Sequence, residues 1–448
     1  MDRHEHLDGL RGIAALCVVL FHSRGFAIAA SRPPEQVGEW SWFGYQLSWF
    51  TQGEFAVAVF FVLSGYLLVE KFHRTGDYRL LAESAVKRYF RLTPMLVASL
   101  ILLLALAAMV GVHADKLGQA MEDSWTRGRH VDPLFWESLR QATIAAYIGP
   151  TPYNIVFWTM RFELFGSLML LGFCAIFMRL RIFPLIAGCA SAILIARFGT
   201  IGLFYSLFLA GAVLLIIPRT PIPLVAAVIA LVLGAQYPWT PLTQAVDPYV
   251  PEWLDAQRVL HALGAVLLVS AALSSDILKS FLSSKPLVWL GRVSFGLYVC
   301  HLPIMITLGA ACVLNLKPIW GLQIASAVGL LLVLITTIVL AEILRRFIDV
   351  PSQQYASVIG RAVTRSIVRS ALNNQTPFNR KANARQLGTS FAHSQAILRE
   401  IMAHPAPDSR EVALRLFNVL KTVAPIKFVN SAVEAEMHDL PGPDRKAL

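Results

Sequence analysis

Charge is scarce in this sequence. Asp, Glu, Lys and Arg together make up 15% of its 448 residues, where a soluble globular chain carries about a quarter. With 56% hydrophobic residues and a mean hydropathy of +0.58, that shortage excludes an ordinary water-exposed surface. Polar interruptions of the kind that mark an amphipathic surface helix are also missing. Runs such as 96–112 and 319–344 are nearly free of charge and read as membrane spans. Metal and disulfide frameworks are absent as well: Cys17, Cys174, Cys189, Cys300 and Cys312 lie inside apolar runs without CxxC spacing. They read as packing residues, and no metal site is expected. Neither internal repeats nor low-complexity tracts occur. No small-residue cleavage site follows the first apolar stretch, so it is expected to be a retained span rather than a removed signal peptide.

Runs long enough to cross hydrocarbon lie near 9–28, 50–70, 92–112, 155–178, 182–198, 201–217, 221–237, 258–275, 287–313 and 319–345. The expected fold is therefore all-α, a polytopic membrane helix bundle of about ten transmembrane helices. The spans at 182–198 and 201–217 are nearly fused at Gly199 to Gly202. Lys71, Arg74, Arg79, Lys87, Arg88 and Arg91 crowd one short loop, which the positive-inside rule makes cytoplasmic. Arg179, Arg181, Arg219, Lys279, Lys285, Arg345 and Arg346 then fall on the same side, and with ten spans both termini are cytoplasmic. Lys116, Arg127, Arg129, Arg140 and Arg197 fit this assignment imperfectly. The balance of 39 basic against 28 acidic residues gives +11. The bases sit at span ends and in the tail, without interleaved aromatics, so lipid headgroups and not nucleic acid are the expected partner.

Hydropathy collapses after residue 351, dividing the chain into a membrane-embedded region, 1–351, and a polar basic cytoplasmic extension, 352–448. The extension holds 13 basic and 7 acidic side chains. Val412, Leu416, Val419, Leu420 and Val423 recur at helical spacing, so an amphipathic helix over 411–424 is expected, able to dock on the membrane face or on a protein partner.

Several polar side chains stand in apolar runs, where their cost points to function. Asp8, Arg11 and His22 share the first span. Arg11 and His22 face the same way about 16 Å apart, and Asp8 can pair with Arg11. The bland alternative makes Asp8 and Arg11 interface markers and His22 a hydrogen-bonded core histidine. Arg88 and Arg91 share a face at the start of the third span, where two guanidinium forks suit a phosphorylated ligand or simply anchor the helix. Glu163, beyond Trp158, could fix an acceptor hydroxyl, orient the His22 imidazole, or pair with Arg161. Ser294, Tyr298 and His301 lie on one face of the ninth span. The Ser64-Gly65 pair reads as a close-packing point between helices.

Taken in order, these segments resemble the acyltransferase-3 family, the membrane O-acyltransferases that modify bacterial surface polysaccharides and related acceptors. The resemblance runs from residue 6 to about 351. It is carried by Leu7-Asp8-Gly9-Leu10-Arg11-Gly12 leading to His22; by Phe60-Phe61-Val62-Leu63-Ser64-Gly65-Tyr66; by Arg88-Tyr89-Phe90-Arg91-Leu92-Thr93-Pro94; by Phe157-Trp158 with Glu163; by Ser294 to His301; and by Phe347-Ile348-Asp349-Val350-Pro351. The last segment departs from the family, which more often has Glu and Arg where Asp349 and Val350 stand. The tail lacks a Gly-Asp-Ser block, so it is not the hydrolase-like domain fused to some members. The resemblance implies an acyltransferase for groups other than amino-acyl groups, in the bacterial inner membrane. It would keep no permanently bound cofactor and would take acyl-CoA, usually acetyl-CoA, as co-substrate for a hydroxyl of a glycan or lipid-linked acceptor. It implies catalytic roles for His22, Glu163 and His301, CoA binding by Arg11, Arg88 and Arg91, and supporting roles for Asp8, Trp158, Ser64 and Tyr298. The imidazole of His22 could act as general base, typically worth about 10² to 10⁴ in rate, or could carry the acyl group itself.

Two other function classes fit polar residues inside a membrane. One is a transporter or exporter of a polar or glycan substrate, although repeated halves and paired broken helices are missing. The other is a noncatalytic scaffold whose tail recruits partners, which leaves the intramembrane polar residues unexplained.

Overall fold

Every regular element among the described residues is helical. The computed structural model describes residues 4–31, 48–122, 126–217 and 223–373, and the expected helix at 411–424 lies outside them. Helices of eight residues or more are α1 (Glu5–His22), α2 (Arg24–Ser31), α3 (Gly53–Thr75), α4 (Tyr78–Val110), α5 (Ala114–Met121), α6 (Met160–Phe177), α7 (Phe183–Val213), α8 (Pro223–Gly234), α9 (Ala256–Ser274), α10 (Lys285–Ile304), α11 (Ala310–Leu344) and α12 (Val350–Asn373). The chain forms two units, Met1–Thr364 and Arg365–Leu448. The described part of the second is the helical stretch ending at Asn373.

Among the described residues, six helical runs are long and apolar enough to cross a membrane. The α1 and α2 pair, bent by 58° directly after His22, makes a seventh if counted as one span. Two runs contain a glycine whose backbone leaves the helix: Gly199 in α7 (φ 55, ψ −131) and Gly321 in α11 (φ 74, ψ 168). The break at Gly199 separates the stretches read from sequence as two spans at 182–198 and 201–217. The apolar surface also turns outward as lipid demands: Leu185, Ile193 and Leu331 are 66%, 68% and 58% exposed.

Glycine sets how closely the helices around the site approach. A Cβ on Gly12 would lie 2.5 Å from the Gly291 nitrogen, and one on Gly291 would lie 2.0 Å from the Asp8 carbonyl oxygen. Backbone therefore meets backbone where α1 crosses α10, which brings Asp8 and Arg11 beside the Gly291–Ser294 turn. The crossing of α3 with α7 is built the same way, since a methyl on Gly65 would meet the Phe208 carbonyl oxygen at 2.2 Å and one on Gly211 the Val62 carbonyl oxygen at 2.1 Å. This use of small residues is the membrane-protein route to tight packing.

Candidate active site

Between α1, α3, α4, α6, α10 and the start of α12 lies a cavity of about 740 Å³. Its lining carries seven cationic side chains (Arg11, Lys71, Lys87, Arg88, Arg91, Arg292 and Arg345) against three carboxylates (Asp8, Glu163 and Asp349). Glu163 is the organising acid. It accepts hydrogen bonds from Ser64 Oγ at 3.0 and 3.2 Å, and its Oε2 lies 3.9 Å from Arg88 Nη1. Arg88 is only 9% exposed, and its Nε has no hydrogen-bond partner among the described residues. A buried guanidinium with an unused donor and an excess of positive charge around it fits an anionic ligand. Asp8 and Arg11 stand 4.0 Å apart. Val57, Phe60, Phe61, Leu92 and Phe295 supply the apolar part of the wall.

The cavity follows one face of α10 through Gly291, Ser294 and Tyr298. The Tyr298 hydroxyl donates to the Val156 carbonyl at 2.8 Å and sits 2.7 Å from Thr159 Oγ1, which also lines the cavity. One turn further along that face, outside the cavity lining, comes His301, fully buried. Its ring stacks on that of His22, with centroids 5.2 Å apart and planes 25° from parallel. Two residues 279 positions apart in the chain thus form one imidazole pair.

His301 has a defined tautomer. Its Nδ1 lies 3.0 Å from the Leu297 carbonyl, and a carbonyl only accepts, so in the neutral ring Nδ1 carries the proton and Nε2 keeps its lone pair. That Nε2 is buried and has no hydrogen-bond partner among the described residues. The turn holding the ring is built around Pro303. Proline has no N–H to give the carbonyl four residues back, which leaves Val299 O without its helical donor. Ser99 Oγ and Asn154 Nδ2, both fully buried, donate to it instead at 2.6 and 2.9 Å, and Asn154 Nδ2 also reaches Ser99 Oγ at 3.1 Å. Beyond Pro303 the helix widens into a π turn at Met305–Gly309. Another π turn, Arg345–Asp349, leads into α12 and brings Arg345 and Asp349 to the cavity wall. Such turns often mark functional sites.

Of the residues singled out from sequence, Asp8, Arg11, Ser64, Arg88, Arg91, Glu163 and Tyr298 share the cavity, while His22 and His301 form their own pair beyond it. Glu163 is engaged by Ser64 and Arg88. Ser64 hydrogen-bonds Glu163, and Gly65 beside it makes the close approach to α7. Trp158 does not line the cavity but packs against Phe162 and Phe204, with centroids 5.7 and 5.6 Å away. Arg292, Ser99 and Asn154 escaped sequence reading. For the last two, Pro303 within an apolar helix was the available signal, because it demands a donor for Val299 O from outside the helix. Where the family's closing motif more often has arginine, this chain has Val350, and Arg345 reaches the same cavity.

Residues 4–344, or 341 of 448, match the family model of the acyltransferase-3 acyltransferase domain. No curated protein and no solved structure matches the chain. The family model covers both histidines and the cationic cavity except for its wall beyond residue 344, which includes Arg345, Asp349 and the start of α12. The chain therefore belongs to the acyltransferase-3 family and is a multi-pass membrane acyltransferase.

Proposed function

We propose that the protein takes an acyl group, acetyl in the first instance, from cytoplasmic acyl-CoA and delivers it to a hydroxyl of a glycan or lipid-linked acceptor. Its setting is the bacterial inner membrane, with ten spans and both termini cytoplasmic. The observation that carries the reading is one face of α10 leading from a cation-rich cavity, at Ser294 and Tyr298, to the imidazole pair at His301.

Acyl-CoA supplies the acyl group activated as a thioester. The phosphates of its nucleotide end match Arg11, Arg88 and Arg91, whose excess charge the three carboxylates only partly offset. Glu163 acts as a positioning residue: through Ser64 and its 3.9 Å approach to Arg88 it fixes where that guanidinium points. The lone pair on His301 Nε2, or that of His22 stacked on it, takes the proton of the acceptor hydroxyl. The oxygen then forms the new C–O bond as the C–S bond breaks, and the imidazolium returns the proton to the departing thiolate. The Tyr298 hydroxyl, held by Val156 and Thr159, stands between the cavity and the pair.

The test is transfer of radiolabelled acetyl from acetyl-CoA into the glycan and lipid fractions of membranes holding the wild type or His22→Ala. Label present with the wild type and lost in a well-expressed variant supports the assignment. Label unaffected by the change removes His22 from catalysis, and label absent from both removes acetyl-CoA as donor.

A further inference from the structure

The cationic cavity extends well beyond the Glu163 cluster. On α3 its wall follows one face from Val57 through Phe60, Ser64 and Leu68 to Lys71. Lys71 stands two turns, about 10 Å, beyond the serine that holds Glu163. On α4 the wall runs outward from Arg91 and Arg88 to Lys87 and Ser84, and on α12 it runs outward from Asp349 to Gln353 and Ser357. These outer ends converge. A Cβ on Gly360 would lie 2.9 Å from Lys87 Cγ and 3.0 Å from the Glu83 carbonyl oxygen, so α12 lies against the turn of α4 that carries Lys87. The cavity therefore has two tiers: an inner one of Arg11, Arg88 and Arg91 around Glu163, and an outer one of Lys71, Lys87, Ser84, Gln353 and Ser357.

The outer cations differ in how far they are committed. Lys87 donates to Glu83 on its own helix at 3.2 Å. Lys71, exposed at the end of α3, has no carboxylate partner among the described residues, and the adjacent Glu70 is held by His4 at 2.7 Å. An exposed lysine alone is no more than a membrane-face anchor. A second observation points to a ligand. Asp349, where the two tiers meet on the α12 side, is 7% exposed and lines the cavity, and its Oδ1 is buried without a hydrogen-bond partner among the described residues. A buried acceptor left unmet at a cavity wall is costly and calls for an O–H or N–H donor. A phosphate monoester dianion has none to give, whereas a nucleoside brings hydroxyl and amino donors with it.

We infer that the outer tier seats the phosphorylated ribose of CoA, so that the protein takes free CoA thioesters and discriminates against donors lacking that phosphate. Lys71 and Lys87 meet the phosphate monoester, which carries nearly two charges at neutral pH, with the Ser84 and Ser357 hydroxyls beside them as donors. Asp349 accepts from the free ribose hydroxyl. Arg11, Arg88 and Arg91 keep the diphosphate bridge. A thioester on the phosphopantetheine of a carrier protein has no nucleoside and forfeits every outer contact. Lys71 is thereby a specificity-determining residue for the donor, and the facing wall on α12 lies beyond the stretch matched by the family model. The inference rests on the acyl-CoA reading above, but its test needs no transfer.

Isothermal titration calorimetry of the full-length protein in phosphatidylcholine nanodiscs, with CoA and with dephospho-CoA as ligands, tests this directly. Neither ligand carries an acyl group, so binding is read without turnover. CoA should bind about tenfold tighter than dephospho-CoA, the lower end of the worth of a charged hydrogen bond, because Lys71 is open to solvent. Lys71→Gln should weaken CoA about three- to tenfold and leave dephospho-CoA unchanged, whereas Arg88→Leu should weaken both alike. Because Lys71 is exposed, its replacement tests binding rather than folding. Equal affinity of the wild type for the two ligands, or an equal fall for both in Lys71→Gln, would overturn the inference and leave CoA as the donor. Failure of both ligands to bind would overturn it together with the acyl-CoA reading. A preference for CoA in a protein that transfers no acetyl would retain this seat while sinking the proposed reaction.

Discussion

The Val299 carbonyl offers a way to test whether the turn carrying His301 is organised as described. In the wild type Pro303 withholds the helical N–H, and Ser99 and Asn154 satisfy the carbonyl from outside. Ser99→Ala with Asn154→Leu strips both donors. An unsatisfied buried carbonyl costs about 1–3 kcal/mol. Two effects pull toward the lower end. Asn154 Oδ1 has no partner among the described residues, so leucine relieves one unmet acceptor, and interhelical hydrogen bonds in membrane proteins average only about 0.6 kcal/mol by mutant cycle. A loss of about 1–2 kcal/mol is expected. Adding Pro303→Ala to that background restores an N–H four residues beyond Val299 and should recover about 1 kcal/mol. In the wild-type background the same substitution should gain nothing, because the carbonyl already has two donors. Equilibrium unfolding of the purified protein in detergent gives all four corners of the cycle. If Pro303→Ala shifts stability equally in both backgrounds, the coupling is zero and this account of the turn is wrong.

Gly12→Ala should disrupt the α1–α10 crossing by about 1–3 kcal/mol, as overpacking does, and reduce acetyl transfer. Gly172→Ala, where a Cβ meets nothing within 4 Å, should leave both unchanged; thermal unfolding and label transfer check the pair. Arg88→Leu should raise KM for acetyl-CoA about 10- to 100-fold, the worth of a charged hydrogen bond, with a smaller effect on kcat. Steady-state kinetics would contradict the cavity assignment if KM held and kcat alone fell. Glu163→Gln keeps an acceptor for Ser64 but removes the charge facing Arg88, so it should mainly raise KM. A kcat loss as severe as that of His22→Ala would instead make Glu163 the base.

Hydropathy and spacing by themselves determined much of this protein. The apolar runs were legible because hydrocarbon tolerates little else, and the near fusion of two of them at Gly199 showed as a glycine between the runs, whereas among the described residues six or seven helical runs, not ten, are long and apolar enough to cross. Asp8, Arg11, Arg88, Glu163 and His301 stood out because each is costly where it sits. Their partners were not legible. A carboxylate on α6 can reach several helices, and only the α3–α7 crossing at Gly65 and Gly211 turns Ser64 toward Glu163. Likewise the α1–α10 crossing, set by backbone contact at Gly12 and Gly291, brings His22 over His301 across 279 residues of chain. Sequence periodicity gives each helix a face, but which face meets which neighbour depends on packing between segments distant in the chain, and that is a property of the tertiary structure alone.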